Sequence, residues 1–132
     1  MALNEPPGSH TWHASCLQNI VVEGNVFENV SIDGQNKNAV IRVVGGSSVK
    51  GEDITVSNNI IRDYRNDYGI RVDNGHEIQV TGNILKYGPT SHAICVDSSN
   101  GVVVSGNNVR GATIGITVSG GDIVEEGNRE TL

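Results

Sequence analysis

Apolar residues in this chain fall at alternate positions in short runs, and the runs recur. The first reads Ile20-Val-Val-Glu-Gly-Asn25 and returns as Ile54-Thr-Val-Ser-Asn-Asn59. It comes back as Ile78-Gln-Val-Thr-Gly-Asn83, as Val102-Val-Val-Ser-Gly-Asn107 and, in worn form, as Ile123-Val-Glu-Glu-Gly-Asn128. A second run follows the first four copies: Val40-Ile-Arg-Val43, Gly69-Ile-Arg-Val72, Ala93-Ile-Cys-Val96 and Gly115-Ile-Thr-Val118. Alternation with period two predicts strands that turn one face inward. Phe27, Ile61, Leu85 and Val109, each two residues after a turn asparagine, predict a third short strand. No segment holds a 3.6-residue apolar stripe long enough to predict a helix.

Recurrence on this scale predicts stacked coils. The turn asparagines are separated by 34, 24, 24 and 21 residues, so insertions fall between the runs and belong in loops. The expected fold is all-β, a single-stranded parallel β-helix of about four to five coils, with neighbouring strands roughly 4.8 Å apart. Residues 18–128 form the repeat domain, 1–17 an arm or cap, and 129–132 a charged tail. Inward columns follow from the register. On the first sheet they are Ile20, Ile54, Ile78, Val102 and Ile123, beside Val22, Val56, Val80 and Val104. On the second they are Ile41, Ile70, Ile94 and Ile116, beside Val43, Val72, Val96 and Val118.

Asn25, Asn59, Asn83, Asn107 and Asn128 read as turn scaffolding. Asparagine tolerates the left-handed region, and its amide can bond from coil to coil. Composition agrees with tight turns and small β-strands: 17 glycines and 4% aromatic residues in 132. A net charge of −6 argues against binding a nucleic-acid backbone. No apolar run has the length to cross a membrane, and the first residues do not read as a secretory signal. Cys16 and Cys95 read as unpaired thiols, with one disulfide as the alternative.

On the repeat phrase and its turn residues Asn25, Asn59, Asn83, Asn107 and Asn128, the chain resembles the right-handed parallel β-helix superfamily. That group holds pectate lyases and related polysaccharide-processing proteins, including phage tailspikes. The resemblance covers about residues 18–128. It implies right-handed coils, a polysaccharide partner and an extracellular or virion-associated location. Families of this fold often have more coils, which implies a fragment, a terminal domain or a subunit completed by partners. No family catalytic motif matches residue by residue.

Outward positions carry the candidate chemistry. Arg42, Arg71, Cys95 and Thr117 share one outward column of the second sheet, and Asp73 and Asp97 stack in the next. Stacked carboxylates feel each other's charge, so one pKa is expected to rise, or the pair to hold a cation. Two carboxylates flanking a sugar bond are the apparatus of glycoside hydrolysis. The resemblance implies a second chemistry, β-elimination with calcium on Asp73 and Asp97 and Arg71 as base or clamp; otherwise no cofactor is required. The competing reading makes both aspartates turn caps. Tyr68 and His92, with Arg42, are candidate substrate contacts, and His76 is expected near Asp73. His10, Trp12 and His13 form a cap or a partner site. Ser57, Thr81 and Ser105 form a hydroxylated face between Glu23 and Glu126. No phosphate loop, nucleophile triad or zinc motif occurs.

The leading expectation is a polysaccharide-recognition or tailspike-like module. The alternatives are a polysaccharide lyase or glycoside hydrolase fragment and a purely structural or oligomerisation module. Solenoid ends bear unpaired edges, so a homo-oligomer, with a trimer in view, is expected unless the Trp12 segment and the worn last repeat cover them.

Overall fold

In a computed structural model of the protein, residues 18–30, 39–45, 51–88 and 92–132 are described. All their regular structure is β, and every strand pairing is parallel. The chain curls into a right-handed parallel β-solenoid of about three turns.

Three walls enclose the core. The first contains β1 (Gln18–Glu23), β4 (Gly51–Ser57) and β7 (Gly75–Thr81), continued by the later halves of β9 (His92–Ser105) and β11 (Ile114–Glu126). A short wall contains β2 (Val26–Glu28), β5 (Ile60–Arg62), β8 (Ile84–Lys86), β10 (Asn108–Arg110) and β12 (Arg129–Thr131). The second wall contains β3 (Ala39–Val44) and β6 (Tyr68–Asp73), then the first halves of β9 and β11. The expected four to five coils count the strands stacked on a wall, which reach five on the first wall. Five strands are separated by one step fewer. The first step runs through residues outside the described set, which leaves about three turns.

The register matches the predicted columns. Ile20 pairs with Ile54, Ile54 with Ile78, Ile78 with Val102, and Val102 with Ile123. Ile54, Ile70, Ile78, Leu85, Ile94 and Val104 are almost wholly buried. Each such side chain stabilises the fold by roughly 1.5–3 kcal/mol relative to exposure. At the ends of the stack, Ile20, Val22, Ile116 and Ile123 are only half-buried.

Residues 129–131, expected as tail, form β12 and pair with β10. Their period fits the third strand, but Glu130 stands where Val109 stands one level below. Glu125 likewise occupies the column position of the buried Val104. Both glutamates are exposed. The last level therefore keeps the strand register and abandons the apolar column.

The asparagines form a continuous ladder along one corner. From Asn59 onward, each Oδ1 accepts from the backbone N–H and the side-chain Nδ2 of the asparagine one level earlier. For Asn83 these bonds come from Asn59 at 3.0 Å each. Each Nδ2 also donates back to a first-wall carbonyl, as Asn83 does to Val56 at 2.9 Å. Asn59 and Asn83 are completely buried and still use both amide donors and the oxygen. The left-handed turn residue is the position before: Gly24, Asn58, Gly82, Gly106 and Gly127 have φ of 69, 54, 66, 63 and 63°. The expectation that the ladder asparagines take this conformation is corrected. Their amides need an inward aim that a neighbouring left-handed residue supplies.

Candidate functional site

The polar outer positions of the second wall come from β3, β6, β9 and β11. Arg42 pairs with Arg71, Arg71 with Cys95, and Cys95 with Thr117. Asp73 pairs with Asp97, and Tyr68 with His92. The parallel register thus brings together the residues singled out on this wall.

Asp73 is committed to Arg71. Arg71 Nε lies 2.9 Å from each Asp73 carboxylate oxygen, and Arg42 Nη2 lies 3.8 Å from Oδ2. Both ends of the Arg71–Asp73 pair are mostly shielded, with side-chain exposures of 23% and 12%. Burial works against the Arg71 charge, but the hydrogen bond and charge of Asp73 outweigh it and raise the Arg71 pKa.

Asp97 takes different partners. Its Oδ1 accepts from the Ser119 hydroxyl, and the Ser98 hydroxyl stands 3.4 Å away. The Ser119 bond leads in holding the Asp97 pKa below its ordinary value; partial burial opposes it without prevailing. The expected rise from carboxylate repulsion does not occur at Asp97, because hydroxyl donors favour the ionised form.

Tyr68 joins this face through its ring. The Arg71 guanidinium carbon sits 4.4 Å from the ring centroid, a cation–π arrangement. The His92 ring is 5.1 Å away, tilted by 45°. His92 Nδ1 is shielded from solvent with no hydrogen-bond partner. Cys95 is a free thiol, half-buried beside them. His76 lies instead beside Glu77, its Nε2 3.7 Å from Glu77 Oε1. Cys16, His10, Trp12 and His13 lie outside the described residues.

On the first wall, Glu23, Ser57, Thr81, Ser105 and Glu126 stand in one register. Ser57 is only 6% exposed, and its hydroxyl donates to Glu23 at 3.3 Å. The hydroxyl row is therefore partly absorbed into the wall. A groove of about 190 Å³ beside it is lined by Asp53, Thr55, Glu77, Gln79, Gly101 and Val103.

The larger opening was not predicted. A cleft of about 450 Å³ lies at the corner after the short wall, lined by Asn29, Asp63, Tyr64, Arg65, Tyr87 and Gly111. Asn29, Asp63, Tyr87 and Gly111 each stand four residues after a turn asparagine. That spacing was available in the sequence. Four different residue types hid it, because nothing in an Asn-Asp-Tyr-Gly series signals a shared column.

Among the described residues, no group of three or more His, Cys, Asp or Glu side chains is placed to hold a metal ion. No helix among them is long and apolar enough to cross a membrane.

A family model described as periplasmic copper-binding protein (NosD) matches residues 8–128. No curated protein and no solved structure matches the chain. The match agrees with the β-solenoid class and names NosD rather than a pectate lyase or tailspike family. It spans the repeat phrases, the ladder asparagines and the second-wall face, so the chain belongs to the NosD family.

Proposed function

We propose that this β-solenoid is a carbohydrate-recognition module whose second wall contacts a polysaccharide. The observation that carries the reading is the cluster of Tyr68, Arg71, Asp73 and His92, in which Arg71 bonds Asp73 at 2.9 Å and covers Tyr68 at 4.4 Å. The cluster offers an aromatic ring and a guanidinium whose orientation the Asp73 carboxylate fixes, on one stiff surface. Sugar rings present the matching combination of C–H faces and hydroxyl groups. Holding the polar groups in place before binding lowers the ordering cost of association.

Recognition has more support than cleavage. Both Asp73 oxygens accept from Arg71, and Asp97 is engaged by Ser119 and Ser98. The Asp97 pKa is held below its ordinary value, chiefly by the Ser119 hydroxyl, whereas a general acid needs a raised one. The copper in the family description finds no three-donor group among the described residues and does not enter this reading. A location outside the cytoplasm fits the periplasmic description of the family.

The test is a glycan panel of neutral and uronate oligosaccharides, read by isothermal titration. Binding weakened at least tenfold by Tyr68→Ala and by Arg42→Ala, each with thermal stability checked, supports the second-wall contact. No binding of any glycan by the unmodified chain removes the reading.

A further inference from the structure

We propose that the corner cleft around Tyr87 is a separate glycan subsite that seats one pyranose ring. It rests on the carbohydrate reading above but places a contact where that reading has none.

The first argument is conformational. Asn29, Asp63, Tyr87 and Gly111 repeat the same corner with φ of 55, 53, 59 and 67°. Glycine takes this conformation freely, and Asn and Asp tolerate it. For a tyrosine it is an outlier. Packing does not compensate, because Tyr87 is 59% exposed. The fold needs a left-handed residue here and has no need of an aromatic one. Strained residues of this kind concentrate at binding sites.

The second argument is the space around the ring. Gly111, one level on, carries no side chain; a Cβ there would lie 3.7 Å from Tyr87 Cδ1. This side of the ring is left uncovered. Tyr64, 1% exposed, is the buried lining residue of the same cleft. Its 450 Å³ falls within the range of small-ligand pockets.

The third argument is chemical. The backbone N–H groups of Asn29, Asp63, Tyr87 and Gly111 all bond the next level, at 2.9–3.2 Å, so the corner itself is satisfied. No hydrogen bond or ion pair of the Asp63 or Arg65 side chain occurs among the described residues. Asn29 offers an amide donor and acceptor, Asp63 an acceptor, and Arg65 a donor fork. Around an aromatic face, this set suits the hydroxyl rim of a sugar ring. Arg65 adds a partner for a ring-borne carboxylate, so a uronate unit is expected to bind more tightly than a neutral one.

The test uses the full chain with a uronate and a neutral oligosaccharide of equal length, followed by NMR shift mapping and titration. The expected result is ligand-dependent shifts at Asp63, Tyr87 and Gly111. Tyr87→Gly is expected to lose at least tenfold in affinity while melting no lower than the unmodified chain, and Arg65→Ala to lose the preference for uronate. Glycine suits the corner, so the first variant keeps its fold. Unchanged affinity in Tyr87→Gly, with loss confined to Tyr68→Ala, overturns the subsite and leaves the second-wall reading standing. Absence of binding to both oligosaccharides by the unmodified chain overturns both.

Discussion

Asn107 Oδ1 accepts two hydrogen bonds from Asn83, one from its backbone N–H at 2.9 Å and one from its Nδ2 at 3.0 Å. The same relationship repeats from Asn25 to Asn128. Removing the Asn83 amide strands the Asn59 donors and the Val56 carbonyl in a dry corner. Each buried unsatisfied group costs about 1–3 kcal/mol. Asn83→Ala is therefore expected to lose about 3–6 kcal/mol in urea unfolding. Asn25→Ala, at the exposed end of the ladder, should lose about 1 kcal/mol. Equal losses at the two sites would refute the ladder as a principal source of stability.

The walls were legible because Ile and Val recur at fixed offsets, and a one-residue slip would turn every one of them outward. Tyr68, Arg71, Asp73, His92 and Asp97 could be grouped for the same reason. Corners obey no alternation. The left-handed positions hold Asn, Asp, Glu, Tyr, Ser and Gly, so composition does not reveal them. The depressed pKa of Asp97 was not legible because its partner, Ser119, arrives from the next level. β12 was missed because its central Glu130 breaks the apolar column that marked the other short strands.

Corner strain gives opposite signs at two positions. A left-handed conformation costs an ordinary residue about 1–2 kcal/mol, and glycine returns about 0.5–1 kcal/mol of that in chain entropy. Tyr87→Gly is expected to gain about 0.5–1 kcal/mol in thermal unfolding. Gly82→Ala, at φ +66° with Asn58 Oδ1 only 2.6 Å from the added Cβ, should lose about 1 kcal/mol or more. A stability loss in Tyr87→Gly would show that the ring contributes packing which its exposure hides.

Gly69 tests the tightness of the core. A Cβ there would meet Leu85 Cδ2 at 2.4 Å and the Ala93 carbonyl oxygen at 2.7 Å. The leucine can turn aside, but the backbone oxygen belongs to the neighbouring strand. Gly69→Ala should cost about 1–3 kcal/mol, measured by chemical unfolding. In a double-mutant cycle with Leu85→Ala, which itself removes a buried side chain, the coupling energy should recover only the share of the Gly69→Ala loss due to the leucine.

Asp97 sets an acid limb. Its folded pKa is depressed, chiefly by the Ser119 hydroxyl. Its contribution is complete above the ordinary carboxylate range near pH ~4 and fades as pH falls through the lower folded value. Ser119→Ala should lower the melting temperature at pH 6, and the gap should close as the pH approaches 2. Solvent screening keeps the effect small. A gap that stayed constant across that interval would assign the loss to packing.

Glu125 and Glu130 occupy column positions that hold Val104 and Val109 one level below. A strand laid on that edge, from a second molecule or any other source, would enclose two carboxylates. Stacking a further level on β11 and β12 therefore carries a desolvation cost that the lower levels do not impose. Glu125→Val with Glu130→Leu would convert this edge into a continuing apolar template, and light scattering should then report concentration-dependent assembly. Two side chains on one level thus set the energy of adding another.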